Sequence, residues 1–320
     1  MLVTLRDIET AAASIAGIAV RTPLIGAPAW PTLRLKPENL QPIGAFKVRG
    51  AVHALARLPA SARAAGVVAH SSGNHGQAVA FAARRLGLPC AVVMPDISAP
   101  VKVAAVRALG ADVHLVPVAD RLARTEAIAA DRGMAIIPPY DHRDIIAGQG
   151  TVGLEIALDA PGLAAVLVPV GGGGLAAGVA TAVKALSPST LVIGVEPELA
   201  ADAVESLAAG SVVRWTPEQT GRTCADGLRT NLSDLTLAHL LASLDGIVTV
   251  TEDEILSTVG SLARTVRIVA EPSGATAPAA YQHRRGELAD RFGLAPDADV
   301  VAVVSGGNVD PALLATLVTR

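Results

Sequence analysis

The chain has 320 residues, 51% of them hydrophobic and 17% charged, with a net charge of −3. That composition supplies a large core and excludes a disordered protein, and the absence of any basic run argues against a nucleic-acid or anionic-membrane surface. Two cysteines, Cys90 and Cys224, are too few for a disulfide framework or a zinc site and suit a reducing cytoplasm.

Asp7 and Glu9 interrupt the N-terminal stretch where a signal peptide would need an unbroken apolar core. Next comes "IGAFKVRGA" (43–51), which sets Lys47 behind Phe46 in mostly apolar surroundings. The chain has only four lysines and otherwise takes its positive charge from arginine. A lysine among apolar groups can shed its proton, and the neutral amine is a nucleophile and a base. Lys47 is therefore a candidate for covalent chemistry.

From residue 66 the pattern alternates. Strands are expected at 66–70, 90–94, 112–116 and 134–138, with helices at 77–87, 99–110 and roughly 120–132. The alternation resumes with strands at 164–170, 190–196 and 299–307 and a helix from Leu175. Such spacing implies α/β architecture with mostly parallel sheets covered by helices, the first unit spanning roughly 56 to 141. Ala160 to Val183 carries no charge and is long enough to cross a bilayer, but "VPVGGGG" in its middle would break a spanning helix. It reads as a buried strand, a glycine loop and a buried helix of a soluble protein.

Four unusual loops follow the carboxyl ends of expected strands: "HSSGNHG" (70–76), "PVGGGG" (169–174), "VEPE" (195–198) and "VSGGN" (304–308). Ligands of open parallel sheets bind at those ends, so one shared crevice is expected. Gly171, Gly172, Gly173 and Gly174 run into a helix start. There, crowded N–H groups and a dipole worth roughly 0.3–1 kcal/mol favour a phosphate, whereas a plain tight turn would need one glycine. The run is no dinucleotide fingerprint, because GxGxxG spacing with a well-placed acidic residue is met only trivially, and no Walker lysine follows. Ser71, Ser72, Asn74 and His75 could donate to a carboxylate or a phenolic oxygen, or simply cap a helix. Ser305 is either a partner for a ring nitrogen or a turn serine. Glu196 and Asp202, with a carbonyl between them, could hold a hard cation, or could be surface carboxylates at a helix start.

Taken in order, "KPENLQPIGAFKVRGA", "SSGNHGQAVA", "PVGGGGLAAG", "GVEPELAAD" and "VSGGNVD" resemble the fold-type II pyridoxal-phosphate enzymes. The nearest likeness is to the serine/threonine dehydratase and serine racemase branch, from about Leu5 to Asp310. The resemblance implies two domains, residues 1–55 with 142–320 binding the cofactor and the smaller 56–141 carrying the substrate loop. It implies that Lys47 forms the internal aldimine, Phe46 packs by the pyridine ring, Asn74 meets its 3-oxygen and Ser305 its nitrogen. Gly171 to Gly174 would cradle the phosphate, with Glu271 near the cofactor. Ser71, Ser72, Asn74 and His75 would receive the substrate carboxylate. Ser72 would also lie across the substrate from Lys47, where racemases use a serine.

Glu196, the Ala200 carbonyl and Asp202 match a magnesium-type site, which favours the cation over surface carboxylates. The implied activity is dehydration and deamination of a β-hydroxy amino acid such as L-serine or L-threonine by a cytoplasmic homodimer. Racemisation of serine and dehydration of threo-3-hydroxyaspartate are the alternatives within the branch. From another class, a non-catalytic phosphate-ligand binding protein would need no lysine at 47. Two departures stand out: Ala45 replaces the family's usual serine, and the chain ends soon after "SGGNVD", so no C-terminal regulatory domain is expected.

Overall fold

The computed structural model describes residues 1–71 and 73–319. Its strands are β1 (Ile25–Ala27), β2 (Trp30–Pro37), β3 (Val67–His70), β4 (Cys90–Pro95), β5 (Asp112–Val116), β6 (Ala135–Ile136), β7 (Ala165–Pro169), β8 (Leu191–Pro197), β9 (Gly246–Val250) and β10 (Val300–Val304). They form a six-stranded sheet, ordered β1-β2-β10-β7-β8-β9, and a four-stranded sheet, ordered β5-β4-β3-β6. Every pairing is parallel except β1 with β2. The central strands β4, β7 and β10 are buried along their whole length, which explains their unbroken apolar sequences.

The uncharged 160–183 segment is indeed a strand, a glycine loop and the first part of the helix Gly174–Leu186. No helix among the described residues is long and apolar enough to cross a membrane. Both cysteines are free, and burial pushes the Cys90 thiol up to about 12.

Several elements differ from the sequence reading. Strand β6 is shorter than 134–138, because Pro138 and Pro139 offer no N–H to a ladder. Strand β9 was not expected, nor was β2, whose Arg34 and Lys36 interrupt the apolar pattern. Yet Lys36 is fully buried, its ammonium donating to Glu155 and to the Thr22 carbonyl, both at 2.6 Å.

Three helices meet with their backbones almost touching. A Cβ added to Gly148, in the helix Arg143–Asp159, would lie 2.5 Å from the Cα of Gly50, in the helix Lys47–Ala56. On the other side, a Cβ on Gly178, in the helix Gly174–Leu186, would lie 2.5 Å from the Gly150 nitrogen. The helix 143–159 is thus a spacer that sets the distance between the other two. Gly148→Ala should destabilise the fold by about 1–3 kcal/mol through overpacking, read as a lowered urea midpoint. An unchanged midpoint would show that the contact tolerates a methyl group.

Candidate active site

The carboxyl end of β10 organises the approach to Lys47. Residues 43–46 lie against the loop that follows the strand. Phe46 N donates to Ser305 O at 3.0 Å, Gly307 N donates to Gly44 O at 2.9 Å, and Ala45 bridges Gly306. Gly44 sits at φ 71°, a left-handed conformation that a side chain would strain. Lys47 then opens its helix with its amine buried, Nζ donating to the Pro139 carbonyl at 2.8 Å and standing 5.0 Å from the Phe46 ring centroid. Burial lowers its pKa to about 8. At neutral or mildly alkaline pH a useful fraction of this amine is unprotonated.

Two residues on, Arg49 is completely buried and anchors the helix. Its guanidinium makes paired bonds to Glu38 at 2.7 and 2.8 Å, and reaches Glu155 at 2.6 Å. Burial alone would raise the Glu38 pKa, but Arg49 and the Thr22 hydroxyl together hold it below the usual value. Lys36, Glu38, Arg49 and Glu155 form a charge-balanced cluster. Removing one member of such a cluster typically costs about 3–5 kcal/mol, because its partner is left buried and unpaired.

The tetraglycine turn joins β7 to the helix 174–186. None of its four positions admits a side chain: a Cβ on Gly171 would meet the Leu228 Cα, and one on Gly173 would meet Leu232 and Thr236. At Gly172 and Gly174 it would run into Tyr140. Gly173 has φ 83°, and no side chain caps the helix behind it. Uncapped N–H groups at a helix start suit an anion. Tyr140 directly follows Pro139, whose carbonyl holds Lys47, so the amine and the glycine turn border the same two residues. A molecule with an aldehyde at one end and a phosphate at the other fits this arrangement.

Ser305 is buried and donates to the Ser273 carbonyl at 3.2 Å. Asn74 opens the helix Asn74–Leu86, its Nδ2 donating to Glu271 Oε1 at 2.6 Å. Glu271 is driven up to about 7 by burial and by Asp226, against the opposing Asn74 bond. Ser71 Oγ accepts from Gly73 N at 3.1 Å. His75 is buried with Nε2 at 2.8 Å from the Ile137 carbonyl. Burial and the nearby Lys47 push its pKa down to about 3, so the ring is neutral and Nε2 carries the proton. Ser72 lies outside the described residues.

Glu196 and Asp202 are both fully buried, which sets aside the surface-carboxylate alternative. The Glu196 oxygens accept from Ala203 N at 3.1 Å and Val204 N at 2.9 Å, in the first turn of the helix Asp202–Ala209. Asp202 Oδ2 accepts from Leu232 N at 3.1 Å, while its Oδ1 is buried with no partner among the described residues. Burial and repulsion from Asp202 raise Glu196 well above the ordinary range, and burial raises Asp202 to about 6. Ala200 is buried between them in sequence.

The sequence reading missed Pro139 and Tyr140, which join the amine to the cradle, and Asn308, which bonds Asn74 at 2.7 Å. It also missed the ion pair of Lys102 with Asp226, 3.0 Å, between the helix Pro100–Ala108 and the loop before Leu228. Asn308 could have been noticed, since it closes the glycine pair of "VSGGN"; the others carry no local signal.

Comparison with known proteins agrees with this geometry. The chain is 40% identical over 289 residues to L-threo-3-hydroxyaspartate ammonia-lyase of Saccharomyces cerevisiae, covering 89% of this chain and 85% of that protein. The crystal structure of serine racemase from Dictyostelium discoideum superposes with a TM-score of 0.89 at 36% identity, covering 96% of this chain and 99% of that one. The crystal structure of T.th. threonine deaminase gives 0.88 at 42%, again covering 96% and 99%. Residues 15–306 match the family described as pyridoxal-phosphate dependent enzyme, and this protein belongs to that family.

Proposed function

We propose that the protein removes the β-hydroxyl and then the amino group of a β-hydroxy amino acid such as L-serine or L-threonine, giving a 2-oxo acid and ammonia. The junction at Pro139–Tyr140 carries this reading, because it brings a buried amine and an uncapped glycine turn to one place. Pyridoxal phosphate, when bound, supplies an electron sink for the bonds broken at the substrate's α-carbon.

The chain's own residues supply the rest. Lys47 holds the cofactor and, once the substrate amine has taken its place, is free to accept the α-proton on its nitrogen. Its low pKa makes it competent for both tasks. Gly171 to Gly174 would hold the phosphate through N–H groups, and Asn74 would donate to the ring's 3-oxygen. Ser305 would meet the ring nitrogen with a neutral hydroxyl, which would not hold a proton there as a carboxylate would. Ser71 and the N–H groups at the start of the helix 74–86 receive the substrate carboxylate. The His75 ring is committed to Ile137, so this residue contributes its backbone.

Asp202 Oδ1, Glu196 and the Ala200 carbonyl offer oxygen donors to Mg²⁺ or another hard divalent cation. The buried, unpartnered carboxylate oxygen supports that assignment, since such an atom is costly without a partner.

A second reading, amino acid racemisation, is favoured by the serine at position 72 and by the likeness to the Dictyostelium racemase. Assays of L-serine, L-threonine and L-threo-3-hydroxyaspartate for both oxo acid and D-isomer separate the two. Oxo acid should dominate; mainly D-isomer would reverse the order of the readings.

Adding pyridoxal phosphate to the protein should give a yellow, borohydride-reducible adduct. Lys47→Ala should abolish the adduct and lower turnover on the order of 10³-fold or more. An adduct that persists in the variant would place the reactive amine elsewhere.

The cation reading has its own test. Glu196 and Asp202 have raised folded pKa values, so without a cation the native state holds protons that the unfolded chain releases. Their stabilising contribution is complete below about pH 4 and is lost as pH rises, through about 6 for Asp202 and higher for Glu196. The melting temperature gained on adding Mg²⁺ to chelator-treated protein should therefore grow across that window and vanish in Asp202→Asn. A gain independent of pH, or one retained by the variant, would remove the cation from this site.

A further inference from the structure

We infer that Asn308 is a positioning residue that fixes which end of the Asn74 amide faces the cofactor. The inference rests on the proposed placement of Asn74 against the ring's 3-oxygen and extends it to the residue hydrogen-bonded behind Asn74.

Donors and acceptors must match along a short chain of amides. A single atom, Asn308 Nδ2, lies 2.9 Å from the Ile43 carbonyl and 2.7 Å from the side chain of Asn74. A backbone carbonyl can only accept, so the Asn308 atom facing it must be the nitrogen. That same nitrogen then has a proton to give Asn74, which must answer with its oxygen. The orientation of the Asn74 amide therefore follows from the hydrogen-bond network alone. Its Nδ2 points away from Asn308, one hydrogen bonded to Glu271 Oε1 at 2.6 Å and the second left for the ring oxygen.

The surroundings leave Asn308 little freedom to reverse. A Cβ on Gly44 would come within 2.6 Å of Asn308 Oδ1, and its φ of 71° favours glycine there, so Asn308 packs directly against this turn. Gly307 N is tied to Gly44 O, which holds the loop carrying Asn308 against the segment leading to Lys47. The consequence concerns an anionic oxygen. If Asn74 reversed, it would present a carbonyl oxygen to the cofactor's ionised 3-oxygen, replacing an attraction with a repulsion. A charge-assisted bond of this kind is among the stronger hydrogen bonds available to an amide.

Asn308→Asp exchanges the donor for acceptors and should reverse Asn74. The readout is the absorption of bound pyridoxal phosphate without substrate. Donation to the 3-oxygen stabilises its ionised form, which absorbs in the visible, while the protonated form absorbs in the near ultraviolet.

Asn308→Asp should raise the ratio of near-ultraviolet to visible absorbance about tenfold at fixed pH, the worth of one charge-assisted bond. Asn308→Ala, which leaves Asn74 free to take either orientation, should give a smaller change in the same direction. It carries the test if the aspartate variant fails to fold. Asn74→Ala should show the shift by itself, and adding Asn308→Asp to it should change nothing further.

An unchanged spectrum in both Asn308 variants overturns the inference. So does a full shift on the Asn74→Ala background. If Asn74→Ala itself leaves the spectrum intact, the placement of Asn74 by the ring oxygen is what has failed, and the role of Asn308 falls with it.

Discussion

Backbone contact between glycines is the constraint on which the rest of the site depends. Lys47 begins one helix and the tetraglycine turn begins another. Their separation is set by the helix 143–159, held against each of them at Gly50–Gly148 and Gly150–Gly178. A side chain at any of these points would push the helix axes apart, and a rigid cofactor could no longer reach both ends. Close packing of this kind resists compression as well as separation. It is therefore a better ruler than a set of long flexible side chains would be.

Beside that ruler lies a second anchor of different character. Arg49 shares a helix with Lys47 and is fixed by Glu38 and Glu155 in a buried cluster. An apolar cluster would stabilise the fold as well or better, since buried ion pairs seldom repay their full desolvation cost. What bidentate bonds add is direction. They fix the rotation of the helix 47–56 about its own axis, which decides where its first side chain points. The same burial that requires pairing at Arg49 removes charge nearby. Lys47, His75 and Glu271 are all shifted towards their neutral forms, Lys47 by burial alone and the other two chiefly by it. With these charges reduced, the backbone N–H groups of the glycine turn meet less competition for an anion.

What could be read from the sequence were residues improbable in their local setting. A lysine among apolar neighbours and four consecutive glycines announce themselves, and the strand-loop-helix rhythm places them at one edge of a sheet. Lys36 did the opposite: its charge hid strand β2, because burial of that ammonium depends on Glu155, far along the chain. Glu196 and Asp202 were ambiguous for a related reason. Their burial is decided by the helix that follows and by Leu232, neither visible in their spacing. The bond from Asn308 to Ile43 spans 265 residues, and no local pattern could reveal it. Legibility thus tracked sequence distance more than chemical importance.

The way the four-stranded sheet meets the rest is uneven, and that unevenness has a consequence for how substrate enters. Behind the site, the helix 47–56 packs Val48, Ala51, Val52 and Leu55 into the same apolar cluster as Val67, Ala78 and Val79. At the mouth the contacts are polar: Asn74 with Glu271 and Asn308, and the half-exposed pair of Lys102 with Asp226. Separating apolar surfaces costs free energy in proportion to the area exposed, whereas polar partners at a surface exchange each other for water at small net cost. Opening is therefore least costly at the mouth, with the apolar back as the axis. Such a motion would carry the start of the helix 74–86 away from the six-stranded sheet while leaving Lys47 and the tetraglycine turn in register. The helices that carry Lys47 and the tetraglycine turn are joined by backbone packing, whereas the edge that bears Asn74 is joined by hydrogen bonds.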